Sequence, residues 1–535
     1  MRHITLVPSW LRFLMILLLV MCILFRFVYV DRKVYSLDET YTSLRISGYT
    51  LAEVKQQLFN GQVISSEQFT EFQSPNGNKN ISDTVMSLVI ESPEKSPLYF
   101  IIARFWVETF GNSVTVIRYL SALISLLVFP CLYWFCRELF NVTLSLPSLA
   151  IALMANSPMH LVYAQEGREY ILWLVTIILA STALLRAIRL QSTQKSDPFT
   201  TWGVYVITLA LSLYTCLWTI FVAIAHGIYV VLIAKLRLTE TVRYYLIATI
   251  FAFLAFFPWL LVVFAKFFQF VLSSDGTNSQ DPNIIPLIPF LLIQMSRSFF
   301  DLNISLDNPI NYLISAIFLI LTAYAIYFLC RTTKYQVWLF MITLIVVPAL
   351  PLIIPSLASG RISSGYEPYL LPSYLGVQII VAYLLATQMY NGNVSHRRIW
   401  QVIIGLLIIC SLISSRVYYQ ADTWWSKGVS DGNPQIARFI NQKYRPLLIT
   451  NFSEINYGNV VSLSYLLQPK ARFQLVQDQT VPIIPNDFSD IFLLNPTNAW
   501  RLQIARKYQL KPNIVYVNDY YLVWKLVQPP SDRNF

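Results

Sequence analysis

Asp38 and Glu39 stand side by side in the run Val34-Tyr35-Ser36-Leu37-Asp38-Glu39-Thr40. They lie just past an apolar stretch at 11–30. Crowded carboxylates shift one another's proton affinity. One of them can then take a proton from an acceptor hydroxyl, a step that suits a sugar transfer between a lipid-borne group and a watery acceptor. Glu39 has three open roles beside Asp38: orienting it, binding acceptor, or sharing a metal. An isolated acid at the end of a helix would simply stay in water.

A second polar cluster, Gln165-Glu166-Gly167-Arg168-Glu169-Tyr170, follows Tyr163 at the end of another apolar run. Charge this close to hydrocarbon is costly unless it is paired or useful. The planar fork of Arg168 suits a phosphate, and a salt bridge to Glu169 or to lipid headgroups is the plainer alternative. His160 lies one turn earlier. With four histidines in the chain a His-rich zinc site is excluded, while a mixed Asp/Glu/His160 site, and with it a divalent cation, stays open. No glycine loop that would cradle phosphates occurs, so a soluble nucleotide-sugar or ATP site is not indicated.

The elements that must hold these residues are membrane helices. The chain has 535 residues, 56% of them hydrophobic and only 13% charged, a composition that belongs to a polytopic α-helical membrane protein. At about 20 apolar residues per helix, spans are expected near 11–30, 115–136, 144–162, 170–189, 202–217, 218–234, 244–264, 310–330, 337–355, 369–389 and 399–415, with the total open by one or two. The first stretch reads as a retained span, because it is long for a signal peptide and no small-x-small site follows it. The short loops on one side hold Arg137; Arg186, Arg189 and Lys195; Lys235, Arg237 and Arg243; Arg331 and Lys334; and Arg397 and Arg398, and Arg2 and Arg12 agree with them. This positive-inside pattern predicts a cytoplasmic N-terminus. It places 31–113, 163–169, 265–309 and everything after about 416 outside. The net charge of +11 therefore reports orientation, and nucleic acid is not an expected partner. The scarcity of ionisable groups at mid-depth argues against an ion-coupled carrier. The six cysteines lie in or beside spans and form no disulfide framework or CxxC motif.

In the first outer loop, Thr50-Leu51-Ala52-Glu53 is a capping box that opens a short helix. Residues 60–96 read as a polar, mobile stretch. Pro97 then starts a helix whose Leu98, Ile101, Ile102, Phe105 and Trp106 form one apolar face, for the membrane interface or for the bundle. After 416 the apolar runs shorten and alternate with helical stretches, which predicts a small α/β domain.

These pieces resemble a known family. Leu37-Asp38-Glu39-Thr40, Ser96-Pro97-Leu98-Tyr99, Phe110-Gly111-Asn112-Ser113, Arg118-Tyr119-Leu120-Ser121, the run Ser157 to Tyr170, Pro258-Trp259 and Pro372-Ser373-Tyr374-Leu375-Gly376 resemble, in order and topology, a GT-C glycosyltransferase of the protein-mannosyltransferase or aminoarabinose-transferase type. The tail, with Trp424-Trp425-Ser426-Lys427, looks like cyanobacterial members. The resemblance implies a GT-C module over 1–415, with the loop 31–113 inside it, and an extracytoplasmic α/β domain over 416–535. It implies transfer of a hexose or pentose from a polyprenyl-phosphate donor to a protein, lipid or glycan acceptor, at the outer face of a bacterial inner membrane. Asp38 matches the family's base, with Glu39 and Glu166 beside it as catalytic candidates. Tyr99, Gln165, Arg168, Tyr170, Arg361 and Tyr369 are the expected substrate-binding residues, Arg168 for the lipid phosphate. Two departures stand out. Cys216 follows Tyr214-Thr215 where members often carry His. Pro368-Tyr369 stands where many carry Arg-Tyr, which leaves Arg361 as the nearest arginine. A lipid or glycan transporter and a non-catalytic assembly protein are the rival readings.

Overall fold

The computed structural model describes residues 9–140, 145–193, 197–272, 284–518 and 520–528. Arg2, His3, Lys195 and part of 265–309 lie outside the described residues, as does the side chain of Arg12. The chain divides into two compact units. The first comprises Met1–Val30, Pro93–Tyr99 and Arg118–Gln420, and the second Asp31–Ser92, Phe100–Ile117 and Ala421–Phe535.

The first unit is helical and makes this a multi-pass membrane protein. Among the described residues six helices are long and apolar enough to cross a membrane, or seven when one bent pair is included. Shorter apolar helices, such as Ser145–Asn156 and Thr219–Ile233, occupy other expected spans. Prolines explain where the expected spans break. The stretch 144–162 becomes two helices because Pro158 opens a new one, Pro158–Ala164. The stretch 337–355 becomes Tyr335–Val346 and Leu350–Ser359, bent by 50° where Pro348 and Pro351 interrupt the hydrogen-bond ladder. Helix Tyr170–Ser192 is largely buried. Helix Glu240–Leu272 instead exposes Ile247, Ile250, Phe251 and Leu254, the all-round apolar surface that a lipid solvent permits.

Eight strands are described: β1 (Asn60–Ile64), β2 (Ile284–Pro286), β3 (Arg361–Ser363), β4 (Pro446–Asn451), β5 (Arg472–Val476), β6 (Asp490–Leu494), β7 (Lys511–Val517) and β8 (Leu522–Val527). In the first unit, β2 and β3 form a short antiparallel pair. The other six build the sheet of the second unit, in the order β1-β5-β4-β6-β8-β7. Central β4 runs parallel to β5 and β6, and it is buried on both faces, as such strands are. Leu448 faces a core shared with Tyr457 and Val460 of helix Glu454–Ser464. Leu447 and Ile449 face Trp500 and Ile504 of helix Asn498–Lys507.

The first loop corrects one expectation. Residues 60–96 are not a featureless polar stretch: they contain β1 and the helices Glu67–Gln73 and Ile81–Glu91. Asn80 and Asp83 make the capping box of the second helix. β1 pairs antiparallel with β5, and Phe69 and Phe72 join the core of the sheet.

Candidate functional site

In the second unit, Ser36 caps helix Leu37–Ile46, and its side chain and the Glu39 carboxylate close a reciprocal capping box. Glu39 Oε2 accepts hydrogen bonds from Ser36 N and Ser36 Oγ, both at 3.1 Å. It also accepts one at 3.0 Å from Lys427 Nζ, and both members of this ion pair are fully buried. Ser430 Oγ accepts from the amide of Leu37 at 2.8 Å. Gly458 lets a second helix come close. A Cβ at that position would sit 2.6 Å from Leu37 Cγ and 3.2 Å from the Tyr41 ring. The outcome is a fixed first turn with Asp38 exposed beside buried Glu39. Negative charge in a first turn also suits the helix dipole.

In the first unit, the turn Gln165–Glu169 joins helix Pro158–Ala164 to helix Tyr170–Ser192. Gln165 Nε2 donates to the carbonyl of Phe25 at 2.9 Å, which ties the turn to the end of the first helix. Glu166 is buried. Arg168 Nη2 donates to Tyr170 Oη at 2.6 Å, and its guanidinium lies 4.5 Å from the centre of that ring. Lys95 Nζ lies 5.8 Å from the same ring and pairs with Glu169 at 2.8 Å. The segment carrying Lys95 is itself pinned. Ser96 Oγ donates to the carbonyl of Leu213, and Trp259 Nε1 donates to that of Pro93. Two cations thus lie against one tyrosine ring, and one of them is paired with a carboxylate. Burial works against the charge on Lys95, but Glu169, Tyr170 and Tyr369 together outweigh it and hold Lys95 well above its ordinary value. Burial likewise works against the Glu169 carboxylate, and Lys95 and then Arg168 pull it below its ordinary value.

Tyr170 makes edge contacts with Tyr163 and Tyr369, at 5.5 and 6.3 Å between ring centres. Tyr369 also packs on Trp218 at 5.0 Å and on Trp173 at 6.4 Å. Tyr369 belongs to the short 3-10 helix Ser364–Leu370, and Glu367 of the same helix accepts a hydrogen bond from Tyr163 Oη.

The structure thus brings together Arg168, Tyr170 and Tyr369 and adds Lys95, Glu367 and Trp218. Lys95 precedes the Ser96-Pro97 pair, so its signal was a cation two residues before the expected helix start at Pro97. Glu367 and Trp218 carried no signal beyond their residue type. Arg361 is not part of this group: it is exposed at the start of β3, its backbone paired with Pro286. Tyr99 is buried, with its hydroxyl 3.2 Å from Ser121 Oγ. His160 is buried in a polar network. Its Nε2 is 2.8 Å from Gln378 Oε1, and Gln378 Nε2 donates to Ser157 Oγ and to the carbonyl of Ser298. Among the described residues no three His, Cys, Asp or Glu side chains gather as a metal site.

Comparison with known proteins agrees with this architecture. No family profile and no curated protein sequence matches the chain. Among solved structures, ArnT from Cupriavidus metallidurans in the apo state aligns with a TM-score of 0.51 at 11% identity, over 97% of this chain and 98% of that one. The same protein bound to undecaprenyl phosphate aligns with a TM-score of 0.49 at 13% identity, over the same shares of both chains. The apo oligosaccharyltransferase of Archaeoglobus fulgidus aligns with a TM-score of 0.49 at 12% identity, over 87% of this chain and 65% of that one. The chain has the GT-C type of fold, a bundle of membrane helices with a small sheet-containing C-terminal part.

Proposed function

We propose that this protein is an integral-membrane glycosyltransferase that moves a sugar from a polyprenyl-phosphate donor to an acceptor hydroxyl. The observation that carries the proposal is the alignment with ArnT, which runs nearly end to end in both chains. In this reading Asp38 takes the proton of the acceptor hydroxyl. The acceptor oxygen attacks the anomeric carbon, the bond from that carbon to the phosphate oxygen breaks, and its electron pair leaves with the phosphate. The anomeric centre inverts. Lys95 and Arg168, the two cations on Tyr170, stabilise the departing phosphate, where preorganised charge contributes most. Glu166 and Gln165 serve the sugar side. Glu39 positions Asp38 through its capping box and Lys427. On the positive-inside reading the reaction faces the extracytoplasmic side of a bacterial inner membrane.

The test is donor turnover by the purified protein in lipid, with a panel of polyprenyl-phosphate sugars and an acceptor extract. The wild type is expected to release free polyprenyl phosphate. Asp38→Asn is expected to lose about 10²- to 10⁴-fold in rate, the usual contribution of a positioned base, with unfolding unchanged. Intact donor throughout, from folded wild type, would favour transport or scaffolding.

A further inference from the structure

A second apolar feature of the first unit lies apart from the Tyr170 cluster. Helices Thr219–Ile233 and Glu240–Leu272 enclose a groove of about 520 Å³, lined among others by Ile220, Ile224, Ile228 and Leu232 of the first helix and Phe253 of the second. Small residues open it. Ala223 and Gly227 are one turn apart on the facing side, and a Cβ on Gly227 would sit 3.2 Å from Tyr245 Oη. Tyr245 fills that space as the floor and donates to the carbonyl of Ala223 at 2.6 Å. From Ile220 to Leu232 the lining spans about 18 Å at 1.5 Å per residue. One leaflet of a 30 Å hydrocarbon core is about 15 Å deep.

The groove ends at a basic corner. Leu236, the last lining residue before the second helix, stands between Lys235 and Arg237, and Arg243 comes two residues before Tyr245. All three cations are exposed, with Glu240 the one acid in that stretch of sequence. Lys235 and Leu236 both take positive φ, 52° and 59°, conformations that are uncommon for residues with a Cβ. The chain there reverses sharply, with Lys235 and Arg237 next in sequence to Leu236, which lines the groove. An apolar channel one leaflet deep, with three exposed cations close in sequence to its lining, is complementary to one kind of molecule.

We propose that this groove is a site for an anionic diacyl phospholipid, with an acyl chain along Ile220–Leu236 and the phosphate headgroup at Lys235, Arg237 and Arg243. On the positive-inside reading, this is a lipid of the cytoplasmic leaflet. The site does not depend on the glycosyltransferase assignment.

The test is native mass spectrometry of the full-length protein, delipidated in detergent and then offered equimolar phosphatidylglycerol and phosphatidylcholine with matched acyl chains. Each surface cation contributes about 1 kcal/mol toward an anionic headgroup, so phosphatidylglycerol should be retained over phosphatidylcholine by about tenfold or more. The triple variant Lys235→Gln, Arg237→Gln, Arg243→Gln should bring that ratio close to one. Ile224→Trp, which fills the channel, should reduce retention of both lipids. Arg331→Gln with Lys334→Gln alters another exposed basic loop and should leave the ratio as in the wild type. The proposal is overturned if the wild type shows no preference, if the triple variant keeps it, or if the second loop's variant loses it equally, since the attraction would then be diffuse.

Discussion

At the scale of residues, the second unit has invested a fully buried ion pair in one helix start. Glu39 and Lys427 meet at 3.0 Å with no exposure on either side. Such a pair need not add net stability, but breaking it leaves a charge stranded in the interior. Lys427→Met should therefore destabilise the protein by about 3–5 kcal/mol, measured by denaturant titration in mild detergent. Combining it with Glu39→Gln should recover about 0.5–3 kcal/mol through their coupling. A Lys427→Met protein as stable as wild type would show that the pair does not hold the turn. The sequence already pointed to part of this arrangement. The neighbouring acids drew attention to Asp38 and Glu39, while the capping-box spacing of Ser36 and Glu39 went unread. Lys427 was visible only as one letter of Trp424-Trp425-Ser426-Lys427, because an ion pair that joins residues 388 positions apart leaves no local pattern.

At the scale of elements, a short 3-10 helix decides where Tyr369 stands. Ser364–Leu370 is a 3-10 run, whose hydrogen bonds are poorer than an α-helix's, and the bond from Tyr163 to Glu367 helps to anchor it. That bond joins it to the helix that leads into the Gln165–Glu169 turn. Glu367 is thus a positioning residue for the aromatic cluster of Tyr369, Tyr170, Trp173 and Trp218. Tyr163→Phe removes the donor and little else. It should raise KM for the donor several-fold with a smaller change in kcat, while Glu367→Gln, which still accepts from Tyr163, should stay nearer the wild type. Steady-state kinetics on the donor identified by the turnover assay would check this. Equal effects on kcat and KM from both variants would assign Glu367 to the chemistry and not to positioning. Periodicity found the long helices well, because 20 apolar residues leave few alternatives in a bilayer. It did not find the breaks at Ser157-Pro158 and near Pro348, since hydropathy continues across them while the backbone does not.

At the scale of the whole molecule, the second unit is assembled from three separate stretches of chain. The strands and helices after residue 430 were legible one by one from alternation and caps. That a strand from the first loop completes their sheet was not, because the partners of β1 are residues such as Gln474 and Val476, some 400 positions away. The reading of 416–535 as one α/β domain and the sheet built jointly with 31–92 make different predictions. Leu44, Tyr49, Val54, Phe69 and Phe72 of the first loop share one buried core with Val460, Phe473 and Phe492 of the tail. Removing residues 446–528 would strip that core of its larger half and expose the loop's apolar side chains to water, at about 25 cal/mol for each Å² uncovered. Hydrogen exchange should then rise sharply across 44–73, by the 10²-fold or more that marks loss of a cooperative unit. Exchange in helix Tyr170–Ser192, which belongs to the first unit, should be unchanged and serves as the internal reference. Wild-type protection of 44–73 after the deletion would mean that the first loop folds without the tail, and that the shared sheet is an addition to its stability and not its source.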